Sequence, residues 1–211
     1  MSEDNFSSIV KNVTTSVPYT VYQAGILATV VTGDPKYILF SILAFVMGDA
    51  FNAGEKLLSK KILGEDSKIG QRPSGCGNGQ LQTDCTGCGI YPSFGKKSVT
   101  WGMPSGHAQI TSFAATYWTI YLWMKYLRET DTQAKRRAKM HAILSTMIMW
   151  ILAFGVWSQR VISSCHSILQ ICVGVLAGIF FGIFGYFIST LIVKEMPKMS
   201  FAQARNISVK D

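Results

Sequence analysis

Long charge-free runs of apolar residues alternate with short basic segments along the 211-residue chain. A helix of about 20 apolar residues crosses the roughly 30 Å hydrocarbon core of a bilayer, because intrahelical hydrogen bonds satisfy a backbone surrounded by lipid. The pattern therefore predicts an all-α fold, a polytopic transmembrane helical bundle that forms one domain over residues 1–211. The predicted spans are residues 17–33, 37–58, 106–127, 140–158 and 167–193, with a long loop over residues 59–105.

The five segments are not equally apolar. Residues 167–193 are apolar on every side and contain four glycines, at positions 174, 178, 182 and 185, which suit close packing against neighbouring helices. The segment at residues 17–33 is short and rich in threonine. It is also compatible with a tilted or re-entrant segment, which leaves four spans as the alternative.

Composition and charge limit the function classes. Hydrophobic residues make up 48% of the chain and charged residues 15%, against roughly 25% charged in soluble proteins, so the net charge of +8 indicates membrane flanks rather than a nucleic-acid partner. Lys135, Arg136 and Arg137 lie in the short loop between the third and fourth spans, which the positive-inside rule places in the cytoplasm. The loop at residues 59–105 is then predicted on the non-cytoplasmic face, lumenal or extracellular.

The five cysteines occur in two settings. Cys76, Cys85 and Cys88 lie in the glycine-rich part of the long loop, where either a disulfide among them or a metal site is open, although a zinc site lacks a nearby fourth ligand. Cys165 and Cys172 flank the start of the last span, where we expect small buried side chains.

Three groups of polar residues lie at span ends on the predicted non-cytoplasmic face. The sequence PSGH at 104–107 precedes a span, so its backbone N–H groups lie in the first turn of a helix, where an anion is favoured. Imidazole and guanidinium groups add a nucleophile, an acid and donors that match phosphate geometry. The three groups together predict an anion site formed by Lys68, Arg72, Ser105, Gly106, His107, Arg160 and His166.

The order and spacing of these groups resemble the type 2 phosphatidic acid phosphatase superfamily, integral-membrane lipid phosphatases related to the vanadium haloperoxidases. That family carries the motifs K-x6-R-P, P-S-G-H and S-R-x5-H-x3-D. Residues 104–107 match the second motif completely, Arg72 and Pro73 end the first, and Arg160 and His166 keep the R-x5-H spacing of the third. The resemblance covers residues 68–170, about half of the chain.

The resemblance implies a mechanism without a metal or another cofactor. His166 attacks phosphorus to form a phosphohistidine, and His107 protonates the leaving oxygen and then activates water. The substrate is a lipid phosphate, such as phosphatidic acid, a lysophospholipid phosphate or a polyprenyl diphosphate, whose tail stays among the membrane lipids. The phosphoryl oxygens are held by Lys68, Arg72, Ser105, Gly106 and Arg160.

The first motif departs from the family pattern. Glu65 stands where the family has lysine, and Lys68 lies four residues before Arg72. Residues four or seven apart share a helix face, so Lys68 supplies the missing cation if this stretch is helical.

The third motif departs from the family pattern at its first and last residues. Gln159 replaces a serine, and Gln170 replaces the aspartate that orients the nucleophilic histidine in the family. Either Gln170 orients His166 through its carbonyl oxygen, or Asp49 or Asp84 takes that role. Because both histidines and both arginines of the motifs are present, we predict a working phosphatase. The alternative is a catalytically weakened relative that acts as a membrane structural or lipid-binding protein.

Overall fold

The computed structural model describes residues 3–73, 88 and 101–195, and it confirms the all-α prediction, since no strand occurs in these residues. Three segments, α2, a π-helical segment and α3, run without interruption and form one rod. The elements are α1 (Glu3–Thr32), α2 (Lys36–Ala44), the π-helical segment (Phe45–Ala50), α3 (Phe51–Leu63), α4 (Gly106–Arg128), α5 (Thr132–Ile162) and α6 (Ile168–Glu195).

Three continuous helical segments of the described residues are long and apolar enough to cross a membrane, as expected of a membrane protein. They are Lys36–Leu63, Thr132–Ile162 and Ile168–Val193. The other two predicted spans are helical as well, in α1 and α4, but neither helix is among the described segments that are apolar enough to cross a membrane. In α4 the reason is a set of polar side chains that face the interior. A crossing by five helices therefore stays a prediction.

The helices extend past the predicted segments. The prediction of residues 140–158 rested on a charge-free window, whereas α5 begins at Thr132, where the Asp131 carboxylate accepts a hydrogen bond from the Ala134 N–H at 2.7 Å. Charged residues outside the hydrocarbon are compatible with helix, so the cap and not the first charge marks the helix start.

α4 is the central helix and packs against α1, α5, α6 and the π-helical segment. The predicted close packing of the α6 glycines is confirmed. A Cβ at Gly174 would lie 2.5 Å from the Ser105 carbonyl oxygen, and one at Gly182 would lie 2.8 Å from the Phe113 carbonyl oxygen. Small residues thus let α6 contact the backbone of α4 directly, which fixes the start of α6 beside the start of α4.

The interior has two different halves. Towards the end of α4 an aromatic cluster fills the space between α2, α4 and α6, with Phe40 and Tyr117 5.0 Å apart between ring centres. Near the start of α4 the buried side chains are polar or charged. They are Asn52, Arg72, Ser105, His107, Gln109, Arg160, His166 and Gln170.

Candidate active site

His166 lies in the tight connection between α5 and α6. The Arg160 carbonyl accepts hydrogen bonds from the N–H groups of Cys165 (3.0 Å) and His166 (3.2 Å), while Ser164 adopts a left-handed conformation with φ of 53°. This turn ends α5 and places the imidazole inside the bundle, where only 2% of His166 is exposed. The R-x5-H spacing therefore corresponds to a turn that is closed by the hydrogen bond from the His166 N–H to the Arg160 carbonyl oxygen.

The partners of His166 define its tautomer. Arg72 Nη1 lies 3.1 Å from Nε2, and Gln170 Oε1 lies 3.2 Å from Nδ1. Because a guanidinium only donates and an amide oxygen only accepts, Nδ1 carries the proton and Nε2 presents a lone pair. His166 is thus a neutral imidazole whose Nε2 lone pair accepts a hydrogen bond from Arg72.

Gln170 ties this imidazole to the preceding loop. Its Nε2 donates to the carbonyl oxygens of Ile69 (3.0 Å) and Gln71 (2.7 Å), and its Oε1 also accepts from the Ser167 N–H at 3.3 Å. A carboxylate at this position has no hydrogen to donate to those two carbonyl groups. The amide therefore joins the third motif to the segment just before Arg72. An aspartate at this position does not make these two hydrogen bonds.

His107 lies in the first turn of α4. Ser105 caps the helix, its hydroxyl accepting from the Ala108 N–H at 3.5 Å, so α4 begins at Gly106 as predicted for a PSGH sequence before a helix. The ring Nε2 of His107 lies 3.3 Å from the carbonyl oxygen of Thr15 in α1. Its Nδ1 is buried and has no hydrogen-bond partner among the described residues.

Arg72 and Arg160 bring two guanidinium groups to the histidines. Arg72 donates to the carbonyl oxygens of Cys165 (2.7 Å) and Cys88 (3.4 Å). Arg160, which is wholly buried, donates from Nη2 to the Thr15 hydroxyl at 2.7 Å. A concentration of buried positive charge of this kind is what an anion requires.

Burial lowers the pKa of His166 well below its ordinary value, and the nearby charges of Arg72, Lys56 and His107 lower it further. The two histidines are thus close enough to interact electrostatically. The low pKa keeps His166 neutral at physiological pH, which is the form that has a nucleophilic lone pair.

Lys56 is a cation that the sequence analysis missed, because it lies sixteen residues before Arg72 instead of seven. It is half-buried on α3, and its charge acts on Arg72 and on His166. Lys68 differs: α3 ends at Leu63, Gly64 turns the chain with φ of 83°, and Lys68 lies exposed in the following turns. The helix on which the prediction for Lys68 depended does not form.

A disulfide joins Cys88 to Cys165, across 77 positions of the sequence. Cys165 is buried, as expected, but it is one half of a disulfide and not an unpaired small side chain. Cys88 does not pair with Cys76 or Cys85, which lie outside the described residues. Cys172 is free, and it is exposed on the surface of the bundle instead of buried. The disulfide lies beside the site, because the Cys88 carbonyl oxygen accepts a hydrogen bond from Arg72, which also contacts His166.

Two further polar residues hold the start of α4 and were not found in the sequence. Asn52 on α3 donates from Nδ2 to Gln109 Oε1 at 2.6 Å, and Gln109 Nε2 donates to the Met47 carbonyl at 2.9 Å in the π-helical segment. Asp49 lies in the same segment and is half-buried, but the Nδ1 of His166 is bound by Gln170. Asp84, the other proposed acid, lies outside the described residues.

Comparison with known proteins agrees with this geometry. Searches of curated proteins and of solved structures gave no match. A model of the PAP2 superfamily matches residues 62–194, more than half of the chain, and this stretch includes Arg72, His107, Arg160 and His166. Membership of that superfamily supports a phosphatase-type enzyme. The chain belongs to the PAP2 superfamily.

Proposed function

We propose that the protein is a lipid phosphate phosphatase that works through a phosphohistidine on His166 and needs no metal. The observation that carries the proposal is the state of His166: its Nδ1–H is held by Gln170, and its Nε2 lone pair faces Arg72. A neutral, oriented imidazole beside a guanidinium is the arrangement required for attack on a bound phosphoryl group.

In the first step a phosphoryl oxygen accepts the Arg72 N–H in place of His166 Nε2. The Nε2 lone pair released in this way forms a bond to phosphorus, and the bond between phosphorus and the ester oxygen breaks. The electron pair leaves with that oxygen, which takes a proton from Nδ1 of His107. For this step His107 is the imidazolium, which the negative charge of the bound phosphoryl group stabilises, and it returns to the neutral ring with Nε2–H. In the second step Nδ1 takes a proton from water as the water oxygen bonds to phosphorus. The phosphorus–nitrogen bond then breaks, its electron pair returns to His166, and inorganic phosphate is released.

The charge of the phosphoryl group is balanced by Arg72, Arg160 and the N–H groups at the start of α4. Lys56 takes the place that the sequence analysis gave to Lys68, because its charge already acts on Arg72 and His166. Imidazole and guanidinium groups thus supply both the nucleophile and the electrostatic stabilisation.

A groove beside His166 supports a substrate with a hydrocarbon tail. α4 packs against both α5 and α6, whereas α5 and α6 hardly contact each other, and a cavity of about 720 Å³ opens between them. Its walls are apolar, and it starts at Ile162 and Ile168, on either side of the His166 turn. Deeper along the helices it is lined by Phe154, Trp157, Val175 and Leu176.

The groove is connected to the catalytic groups. The Trp157 indole donates to the Thr111 hydroxyl at 2.9 Å, and that hydroxyl donates to the His107 carbonyl at 2.8 Å. We expect a lipid whose phosphate lies at His166 to place its tail between α5 and α6.

The disulfide between Cys88 and Cys165 supports a non-cytoplasmic active site, because disulfides persist in oxidising compartments. The basic residues Lys135, Arg136 and Arg137 in the first turns of α5 support the same orientation through the positive-inside rule. Both arguments support a lumenal or extracellular position for the His166 end of the bundle.

The central experiment measures phosphate release from phosphatidic acid and from a polyprenyl diphosphate, in detergent micelles that contain a chelator. We expect metal-independent release by the parent protein and none by the His166→Ala variant, with a phosphoenzyme trapped only in the parent. Loss of release on adding chelator, or full release by the variant, contradicts the mechanism.

A second measurement tests the groove. Cys172 lines it and has a free thiol, so a bulky maleimide on Cys172 is expected to block release from phosphatidic acid while release from soluble phenyl phosphate continues. The Cys172→Ser variant, treated in the same way, is the control. Equal inhibition of both substrates, or inhibition of the control, contradicts a tail in this groove.

A second candidate function rests on Gln170, whose neutral amide does not stabilise a developing imidazolium as a carboxylate does. The protein is then a lipid-binding relative with little turnover. In that case vanadate binds to the parent protein and competes with phosphatidic acid, but neither lipid releases phosphate.

A further inference from the structure

α1 lies outside residues 62–194, which match the superfamily, yet it reaches the centre of the site. Thr15 of α1 is buried and contacts two of the groups described above. Its hydroxyl accepts a hydrogen bond from Arg160 Nη2 at 2.7 Å, and its carbonyl oxygen lies 3.3 Å from His107 Nε2. These contacts join residues that are 145 and 92 positions apart in the sequence.

We propose that Thr15 is a positioning residue of the active site: its hydroxyl orients the Arg160 guanidinium and its carbonyl oxygen orients the His107 ring. The inference rests on the proposed function and extends it, because it makes α1 part of the phosphatase site. Nothing in the three motifs points to this helix.

The contact with Arg160 matters because the guanidinium is wholly buried. A buried guanidinium needs acceptors for its N–H groups, and the acceptors that it finds decide which way its plane faces. With Nη2 held by Thr15 and Nη1 3.8 Å from the Cys165 sulfur, the group is fixed between α1 and the His166 turn. A phosphoryl group then meets a guanidinium that is already oriented, so less ordering is needed on binding.

The contact with His107 matters because a carbonyl oxygen only accepts. Nε2 must therefore carry a hydrogen, and in the neutral ring Nδ1 then has the lone pair. Nδ1 is the buried atom without a partner among the described residues, so it is the atom available to exchange a proton with the substrate. Thr15 in this way selects which nitrogen of His107 does the acid–base chemistry.

The test compares three variants of the full-length protein in micelles. Thr15→Val removes the hydroxyl and keeps the size of the side chain, Thr15→Ser keeps the hydroxyl, and Thr29→Val is the matched control. Thr29 is also on α1, but its hydroxyl donates within the helix, to the Gly25 carbonyl at 2.9 Å. Inhibition by vanadate, kcat and KM are measured for each, together with thermal unfolding.

We expect Thr15→Val to raise the vanadate inhibition constant about tenfold, as for the loss of a hydrogen bond to a charged group. Thr15→Ser should restore the parent value, and Thr29→Val should leave it unchanged. Tighter vanadate binding by Thr15→Val would show that the hydroxyl competes with the anion, and unchanged binding would show that it does not orient Arg160. Either result overturns the proposal for the hydroxyl.

The carbonyl contact has its own readout. The chain has three histidines, so the imidazole nitrogens of His107 can be assigned by ¹⁵N NMR with the His107→Gln variant as reference. We expect the Nε2–H tautomer for His107 and the Nδ1–H tautomer for His166. An Nδ1–H tautomer for His107 overturns the contact with Thr15.

These outcomes are separate from failure of the proposed function. If the parent protein releases phosphate and His166→Ala does not, the function stands whatever Thr15→Val does. If the parent releases none, vanadate affinity and the tautomer still test Thr15.

Discussion

The two histidines of the site occupy similar positions and are held in opposite ways. Each lies at or just before the start of a helix, His107 in the first turn of α4 and His166 two residues before α6. The acceptor that binds Nδ1 of His166 is Gln170, four residues further along in the first turn of α6. The partner of His107 is Thr15, 92 residues away on α1. One orientation is therefore local, and the other depends on the packing of two helices.

The difference also sets the chemistry. In the proposed mechanism, an amide oxygen on Nδ1 of His166 leaves Nε2 to act as the nucleophile, whereas a carbonyl oxygen on Nε2 of His107 leaves Nδ1 for proton exchange. Two identical side chains obtain different roles because their acceptors bind different ring nitrogens. In that mechanism the acceptor that orients each ring, rather than the histidine itself, decides which role the ring has.

The largest effect is expected at the local partner. Gln170→Ala removes the acceptor of His166 and both donors to the loop before Arg72, and we expect kcat to fall about a hundredfold. Phosphate release under saturating substrate measures it.

Gln170→Glu is the informative companion, because it keeps the length and the acceptor but loses the two donors to Ile69 and Gln71. We expect intermediate activity. A rate above that of the parent protein would mean that the negative charge on the orienting group matters more than the two hydrogen bonds to Ile69 and Gln71. This result would contradict the role of Gln170 in joining His166 to the loop.

A smaller effect is expected from the surrounding charge. Lys56→Met removes the cation near His166, so binding of the phosphoryl group weakens and KM rises about tenfold. Lys68→Met is the control, since Lys68 is exposed and lies in the turns after α3. The reverse ranking of the two variants would restore the original sequence prediction.

The smallest effect is a shift in pH dependence. The nucleophile must be neutral, and burial and neighbouring cations lower the pKa of His166 below its ordinary value of 6.5, so kcat/KM should not fall until the pH is below that value. Removing the Lys56 charge favours the imidazolium and raises this pKa, which moves the acid limb to higher pH. The parent protein and the Lys56→Met variant are assayed on the same substrate, so the ionisation of the substrate affects both pH profiles equally. If the pH at which kcat/KM falls is the same for both, the effect of Lys56 is contradicted.

The sequence predicted the parts of the site that are local. The R-x5-H spacing is one closed turn after α5, PSGH is a helix cap followed by a first turn, and Gln170 lies one helical turn beyond His166. Each depends on residues within a few positions of one another, whose relative placement follows from helix and turn geometry. The glycine positions of α6 were predictable for the same reason, since their spacing puts them on one face.

The sequence did not predict the parts that come from other elements. Lys56 was missed because α3 ends at Leu63 and irregular chain fills the interval to Arg72, so spacing along the sequence no longer measured distance. Cys165 was expected to be a free buried side chain because its partner, Cys88, is 77 positions away. Asn52 and Gln109 are ordinary polar residues until α3 packs beside α4.

By itself, then, the sequence determined an all-α chain with apolar helices, and it identified both histidines, both arginines and the amide that orients His166. Apolar periodicity, caps and short motifs encode these features within single segments. Only the tertiary structure decided that Thr15, Lys56 and Cys88 join them. The physical reason is that a buried hydrogen bond or charge–charge interaction between distant segments forms only after those segments have packed together. The packing around α4 involves helices from distant parts of the sequence.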